Sequence, residues 1–389
     1  MNTRILPCFL LLIGFLSPAF AQDAEKIRVK GRVLDERTNE PMAFVNIGLI
    51  GTTLGVASDM DGYFELAVPE RYADHQTRFS AVGYASRDAK FRDLQGRELV
   101  IRLTPVSYEL AGVRVVASVD VIRKLLDRVV KAIPGNYIPR PYNYEGYFSR
   151  ELFANGQPRE KKEAILLLHD GRGYARGDTE QSFADINYTF TQVRRDKPLT
   201  TVAGGMINFD DVVTADAVRH GRNALDIANY RDYTFRDQGK TFYEGDTVQI
   251  IAYTCKQPTI STTGDASALS YEGEIYIKLK DLAVIRYVAR VTSDHFNPLG
   301  RALLPAAGAP AERCTTTIVA HYRKVSSYYF LGGVSIIYSR GAAEEKLQYH
   351  TTGVRVDDLQ PLTGRLYYEQ MDTDYRFWDH YTLSLVEEE

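Results

Sequence analysis

The chain has little with which to build a covalent or metal-held scaffold. Its three cysteines, Cys8, Cys255 and Cys314, lie far apart, and its seven histidines are scattered. No H-E-x-x-H motif and no Cys/His cluster at zinc spacing occurs, so no zinc site is recognisable. A G-x-S-x-G elbow, a P-loop and a dinucleotide fingerprint are also missing, which removes the common nucleophile, nucleotide and cofactor signatures. Beyond the N-terminal segment, no run approaches the ~18 uninterrupted apolar residues of a spanning helix. A formal net charge of −3 gives no broad attraction to nucleic acid or to an anionic membrane. The sequence therefore indicates no cofactor, no metal, no nucleic-acid partner and no transmembrane helix.

What is present begins with an export signal. Arg4 precedes the apolar run LPCFLLLIGFL, and Ala19-Phe20-Ala21 supplies a small-x-small cleavage pattern before Gln22. Residues 1–21 read as a secretory signal peptide. Cys8 lies inside the apolar run and not at the cleavage point, so it is not a lipidation site. Removal of the leader leaves roughly 370 residues and one positive charge fewer, enough for two domains. Cys255 and Cys314 then form either one disulfide or two buried thiols, because sequence gives no Cα separation.

The pattern is mainly β. From Ile27 to Leu103 the runs IRVKGRVLD, AFVNIGLI, YFELAV, TRFSAVGY and ELVIRL are separated by turn residues, the spacing of a sandwich or small barrel. Residues 22–107 form this first domain. SVDVIRKLLDRVVKAI then places Val121, Ile122, Leu125, Leu126, Val129, Val130 and Ile133 on one helical face, predicting a linker helix over 118–134 ended by Pro134-Gly135. Residues 140–389 are a β-rich C-terminal domain of long, Tyr-rich alternating strands, with a helical interruption at 209–221 and a Pro/Ala/Gly-rich loop at 295–314. Such strands predict a curved antiparallel sheet or half-open barrel with a few helices. Its concave face is either a Tyr- and aliphatic-lined groove or a filled core.

Three local patterns invite chemistry. His169-Asp170, at the end of an apolar strand, is the first pair to examine as a base with its orienter, and Asp178 is a further carboxylate for a hydrolase. Arg176-Gly177-Asp178 and Asn187-Tyr188-Thr189 match an adhesion tripeptide and a glycosylation acceptor, patterns short enough to recur by chance. The third is Asp59-Met60-Asp61-Gly62. With Asp59 at position 1 of a calcium loop, Tyr63 and Phe64 fall where a ligand and glycine are required, and with Gly62 at position 6 both end positions are apolar. The stretch reads instead as the structural turn of a hairpin, Asp59 and Asp61 capping it and Gly62 accepting positive φ.

KGRVLDERTNEPMAFVNIGLIGTTLGVASDMDGYFELAVP, followed by SAVGY, resembles the carboxypeptidase-regulatory-like domain, a transthyretin-like (prealbumin-like) β-sandwich. Gly31, Val33, Asp35, Pro41, Val45, Ile47, Thr53, Gly55, Val56, Asp59, Gly62, Phe64 and Gly83-Tyr84 carry the likeness. That domain is itself noncatalytic, and it accompanies metallocarboxypeptidases and outer-membrane receptors. The remainder resembles the uncharacterised region that follows this domain in exported Gram-negative envelope proteins, VVKAIPGNYIPRPYNYEGYFSRE and FWDHYTL being the stretches concerned. The resemblance implies a noncatalytic protein of the periplasm or the periplasmic face of the outer membrane, with an envelope protein, glycan or lipid as partner. Two alternatives stand beside it: a hydrolase around His169 and Asp170, and a small outer-membrane β-barrel.

Overall fold

The computed structural model describes residues 26–52, 54–96, 98–106, 118–174, 185–195, 209–297, 300–363 and 373–381. The expected leader and the 176–178 tripeptide lie outside the described residues.

Seven short strands form the N-terminal domain: β1 (Lys26–Asp35), β2 (Asn46–Leu49), β3 (Gly55–Ala57), β4 (Tyr63–Pro69), β5 (Gln76–Ser80), β6 (Arg87–Lys90) and β7 (Leu99–Leu103). They make two sheets, β4-β1-β7 and β3-β2-β5-β6. Alternation along β1 turns Val29 and Val33 inward, where they meet Ile47, Val56, Phe64, Leu66 and Phe79 in one apolar core.

The Asp59–Gly62 turn departs from expectation. β3 pairs with β2 and β4 pairs with β1, so the turn passes the chain from one sheet to the other and is not a hairpin. Its local chemistry is that of a tight turn. Asp59 Oδ1 accepts from the amides of Asp61 (3.0 Å) and Tyr63 (2.7 Å), and the Gly62 amide donates to the Asp59 carbonyl at 3.0 Å. Gly62 has φ +80°, and a Cβ there would stand 2.5 Å from the Val33 carbonyl oxygen.

The second domain is one ten-stranded antiparallel sheet. Its strands are β8 (Tyr142–Ala154), β9 (Gln157–Asp170), β10 (Ile186–Arg195), β11 (Tyr233–Tyr243), β12 (Asp246–Cys255), β13 (Ala268–Lys278), β14 (Ala283–Ser293), β15 (Cys314–Val325), β16 (Tyr328–Arg340) and β17 (Ala343–Arg355). The order is β10-β9-β8-β17-β16-β15-β14-β13-β12-β11. The sheet is open, with β10 and β11 at its edges, and this overturns the outer-membrane barrel, because a membrane-spanning sheet must close to satisfy its edge groups. Cys255 ends β12 and Cys314 begins β15, three strand spacings away or roughly 14 Å. Both are buried free thiols; the disulfide is excluded because bridged Cα atoms lie within about 7 Å.

Helix α1 (Val119–Asn136) is capped by Ser118 and runs two residues beyond the expected end, Pro134 being tolerated in its last turns. Ile122, Leu126, Val129, Val130 and Ile133 are buried in the core of the large sheet, whereas Val121 is exposed. The helix is thus part of the large domain, packed on one face of its sheet. Short helix α2 (Asp210–Thr214), the turns that follow it, and α3 (Ile260–Thr263) lie over the same face. Helix α4 (Tyr375–His380) shields the β10 edge, Trp378 Nε1 donating to the Val193 carbonyl at 2.9 Å.

The sandwich docks on the other face of the large sheet. Phe44, held at φ +58°, places its ring 4.8 Å from that of His321 and 5.8 Å from that of buried His350. Ser335 Oγ lies 3.3 Å from Met60 Sδ, at the tip of the 59–62 turn, and the Gly83 amide donates to the Phe242 carbonyl at 3.1 Å. Burial lowers the pKa of His350 to about 4 and that of His321 well below its usual value, with Arg323 adding repulsion. Burial, with help from Asp61 and Glu151, raises that of Asp59 to about 6.

Two outcomes follow for stability. Gly62→Val is expected to destabilise the N-terminal domain by at least ~3 kcal/mol at any calcium concentration, since it adds both a forbidden φ and a backbone clash; chemical denaturation with and without calcium reads this, and a calcium-dependent loss would contradict it. The histidines and Asp59 act oppositely on pH. Neutral buried His350 contributes stability that is complete above pH ~6.5 and lost as pH falls toward its folded value, roughly 3 kcal/mol in all. Asp59 contributes stability present below ~pH 4 and lost as pH rises through 6, of order 1–2 kcal/mol after solvent screening. Between pH 7 and 4, His350→Asn should therefore lose less stability than the parent chain, and Asp59→Asn should lose more.

Candidate functional site

Side-chain alternation decides the His169-Asp170 pair. Along β9 the even positions Ala164, Leu166, Leu168 and Asp170 face the core, so His169 faces the opposite side. Asp170 is fully buried and forms a two-point ion pair with Arg219, at 2.7 and 3.0 Å. Its Oδ1 also accepts from the amides of Arg172 and Gly173, each at 2.9 Å. The neighbour of His169 Nδ1 is Asn143 Nδ2 at 3.4 Å. His169 and Asp170 therefore do not form a base–orienter pair; Asp178 lies outside the described residues.

Asp170 instead begins a buried polar network under the segment after α2. Asp216 accepts from the hydroxyls of Tyr174 (2.7 Å) and Tyr322 (2.8 Å), and Tyr174 meets the Tyr144 hydroxyl at 3.2 Å. Burial raises the pKa of Asp216 against these donors. The Tyr338 hydroxyl donates to Asp211, and that of Tyr188 to Asp210 at 3.0 Å. The Val218 amide donates to Tyr322 Oη at 3.2 Å and the Ala224 amide to Tyr287 Oη at 3.4 Å. The tyrosines on this face thus carry the 209–225 segment, their rings filling the core and their hydroxyls satisfying its polar groups. Much of the expected Tyr-lined groove is a filled core.

One part stays open. Between residues 214–223, the end of α3, the 301–303 loop and strands β13–β15 lies a cavity of about 360 Å³. Its floor is Tyr271, Tyr287, Ala289 and Ile318, and small Ala215 and Ala217 line it from the 209–225 segment. Space persists here because alanines stand where β8 and β10 present aromatic rings. His220, Arg222 and Arg301 bring polar ends to the wall. Burial lowers the pKa of His220 to about 3, keeping it neutral. The Arg301 guanidinium lies 3.8 Å from Asp211 and 4.0 Å from Asp265, whose charges hold its pKa above the ordinary value despite burial. Leu303 lines the cavity and is also exposed, marking the mouth. Apolar walls with few polar ends suit binding of a small amphipathic molecule. This site was not singled out from the sequence: an alanine on an alternating strand carries no signal of a void.

Asp59, Asp61 and Gly62 lie at the domain junction, remote from this site in the fold. Among the described residues no group of three His, Cys, Asp or Glu side chains is placed to hold a metal ion, and no helix is long and apolar enough to cross a membrane.

Removing one partner of the Asp170–Arg219 pair leaves the other charge buried. Asp170→Asn is expected to cost about 3–5 kcal/mol, whereas His169→Asn should change stability by less than ~0.5 kcal/mol, both read by thermal and chemical unfolding.

Residues 29–115 match the CarboxypepD_reg-like domain family. No curated protein matches the chain. Among solved structures, a DUF1329 family protein from Desulfovibrio piger is similar at 12% identity and a TM-score of 0.29, over 62% of this chain and 95% of that one. A LolA superfamily protein from Nitrosomonas europaea is similar at 9% identity and a TM-score of 0.23, over 60% and 94% of the two chains.

Proposed function

We propose that the protein is a noncatalytic binding module of the cell envelope whose large domain holds a small amphipathic ligand, its chain apolar and its head anionic. The carrying observation is the cavity of about 360 Å³ floored by Tyr271, Tyr287, Ala289 and Ile318 and edged by Arg222 and Arg301. Its volume is at the lower end of small-molecule sites, which run about 300–1,000 Å³, and suits one chain. The N-terminal leader pattern supports export. The CarboxypepD_reg-like domain at 29–115 supports a docking role for the sandwich. The placement of His169 and Asp170 on opposite faces of β9 supports the noncatalytic reading.

Ala289→Phe tests this reading, since it fills the cavity floor with an apolar side chain. Titration with a fluorescent fatty acid is expected to show saturable binding by the parent chain and at least ~10-fold weaker binding by the variant, whose unfolding temperature should not fall. Equal binding by the two would reject the cavity as the site. Native mass spectrometry of the purified protein should in addition show a copurifying amphiphile.

A further inference from the structure

We propose that the loop between β14 and β15 docks on a lipid bilayer and brings the cavity mouth to the membrane surface. In a chain that is 25% charged, residues 302–311 read ALLPAAGAPA, ten positions without a charge. Leu304 is 77% exposed, the highest among the large exposed apolar side chains described, and Leu303 is 49% exposed.

The loop is tied down in a way that displays these leucines. At one end the Arg301 amide donates to Asp211 Oδ1 at 3.0 Å and its carbonyl accepts from Ala266 at 2.9 Å; at the other the Glu312 amide donates to the Asp294 carbonyl at 2.7 Å. Along the loop, the Leu303 amide donates to the Gly300 carbonyl at 3.2 Å and the Ala309 amide to the Ala306 carbonyl at 3.0 Å. The Ala266–Arg301 bond sets the loop beside the start of β13, where Leu269 is also exposed. Protruding aliphatic side chains held by a fixed backbone are a surface waiting to be covered.

Composition selects the bilayer as occupant. Protein interfaces concentrate their energy in Trp, Tyr and Arg, with Leu under-represented, and 302–311 holds none of the three. Leucine, alanine and proline without charge suit the headgroup–acyl boundary, where burial is non-directional. Leu303 belongs both to this surface and to the cavity wall, giving an apolar ligand a path that avoids water. Bilayer docking does not require the ligand reading, although the path does.

Flotation of the full chain with phosphatidylethanolamine/phosphatidylglycerol vesicles tests the docking. The parent chain should float with vesicles to a similar extent from ~0.1 to ~0.5 M salt, because apolar insertion is little screened. Leu304→Asp, a change outside the cavity lining, should float at least about fivefold less while binding fluorescent fatty acid normally in solution. Leu304→Trp should show fluorescence quenched by brominated lipid. Parent chain that stays at the bottom, or Leu304→Asp that floats as the parent does, overturns the proposal, as does capture of a protein by the loop with no vesicle binding. Ala289→Phe should lose fatty-acid binding and keep flotation; its behaviour separates failure of the ligand reading from failure of docking.

Discussion

The large domain depends on one buried interaction, the ion pair between Asp170 and Arg219. Neither residue can be desolvated alone at tolerable cost, and each finds further partners only in the folded arrangement. Asp170 ends β9 and orders the turn after it through two amides. Arg219 lies ten residues beyond Phe209, on the segment that crosses the concave face. Their pairing fixes where that segment sits, and the neighbouring Asp216 then draws Tyr174 and Tyr322 into the same network. A ten-stranded sheet left bare on that face would expose its aromatic floor to water. The ion pair positions the cover.

Tyrosine is the residue that makes such a cover possible. A segment of turns and one short helix carries backbone groups that a sheet of Leu and Val could not satisfy. Tyrosine brings apolar area along the ring and a hydrogen-bonding tip at its end, so the same side chain serves as core and as cap. Buried Tyr137, for example, packs on the rings of Tyr174 and Tyr322 while donating to the Val284 carbonyl at 2.6 Å. The ambiguity between groove and core follows from this dual character. A Tyr-rich alternating strand has the same pattern whether its hydroxyls meet water, a ligand or the protein's own backbone.

The features set by local chemistry were legible in the sequence: the β-rich character of both domains, a helix read over 118–134 where the structure has Val119–Asn136, and the turn at Gly62. What was not legible involved partners distant in sequence. The Asp59–Gly62 turn showed its Asp capping and its need for glycine, but only pairing with β1 and β2 reveals that it links two sheets. Central strands of the large sheet are buried on both faces because the sandwich covers one of them. His321 and His350 look like scattered residues until Phe44 is laid across them. His169-Asp170 gave a false signal for a related reason. Adjacency in a strand places two side chains on opposite faces, so a contiguous pair is a poor candidate for a dyad there.

The cavity is the feature least like a by-product of folding. A pocket of about 360 Å³ leaves its lining side chains without the van der Waals contacts that close packing would supply. Packing could have closed the space with one larger side chain at 215, 217 or 289, as it does with phenylalanine at 148 and 190 elsewhere on the same sheet. Four alanines, Ala215, Ala217, Ala289 and Ala302, line this space, with Arg222 and Arg301 at its edge and Leu303 at its mouth, an arrangement consistent with the walls, anchor and entrance of the proposed site.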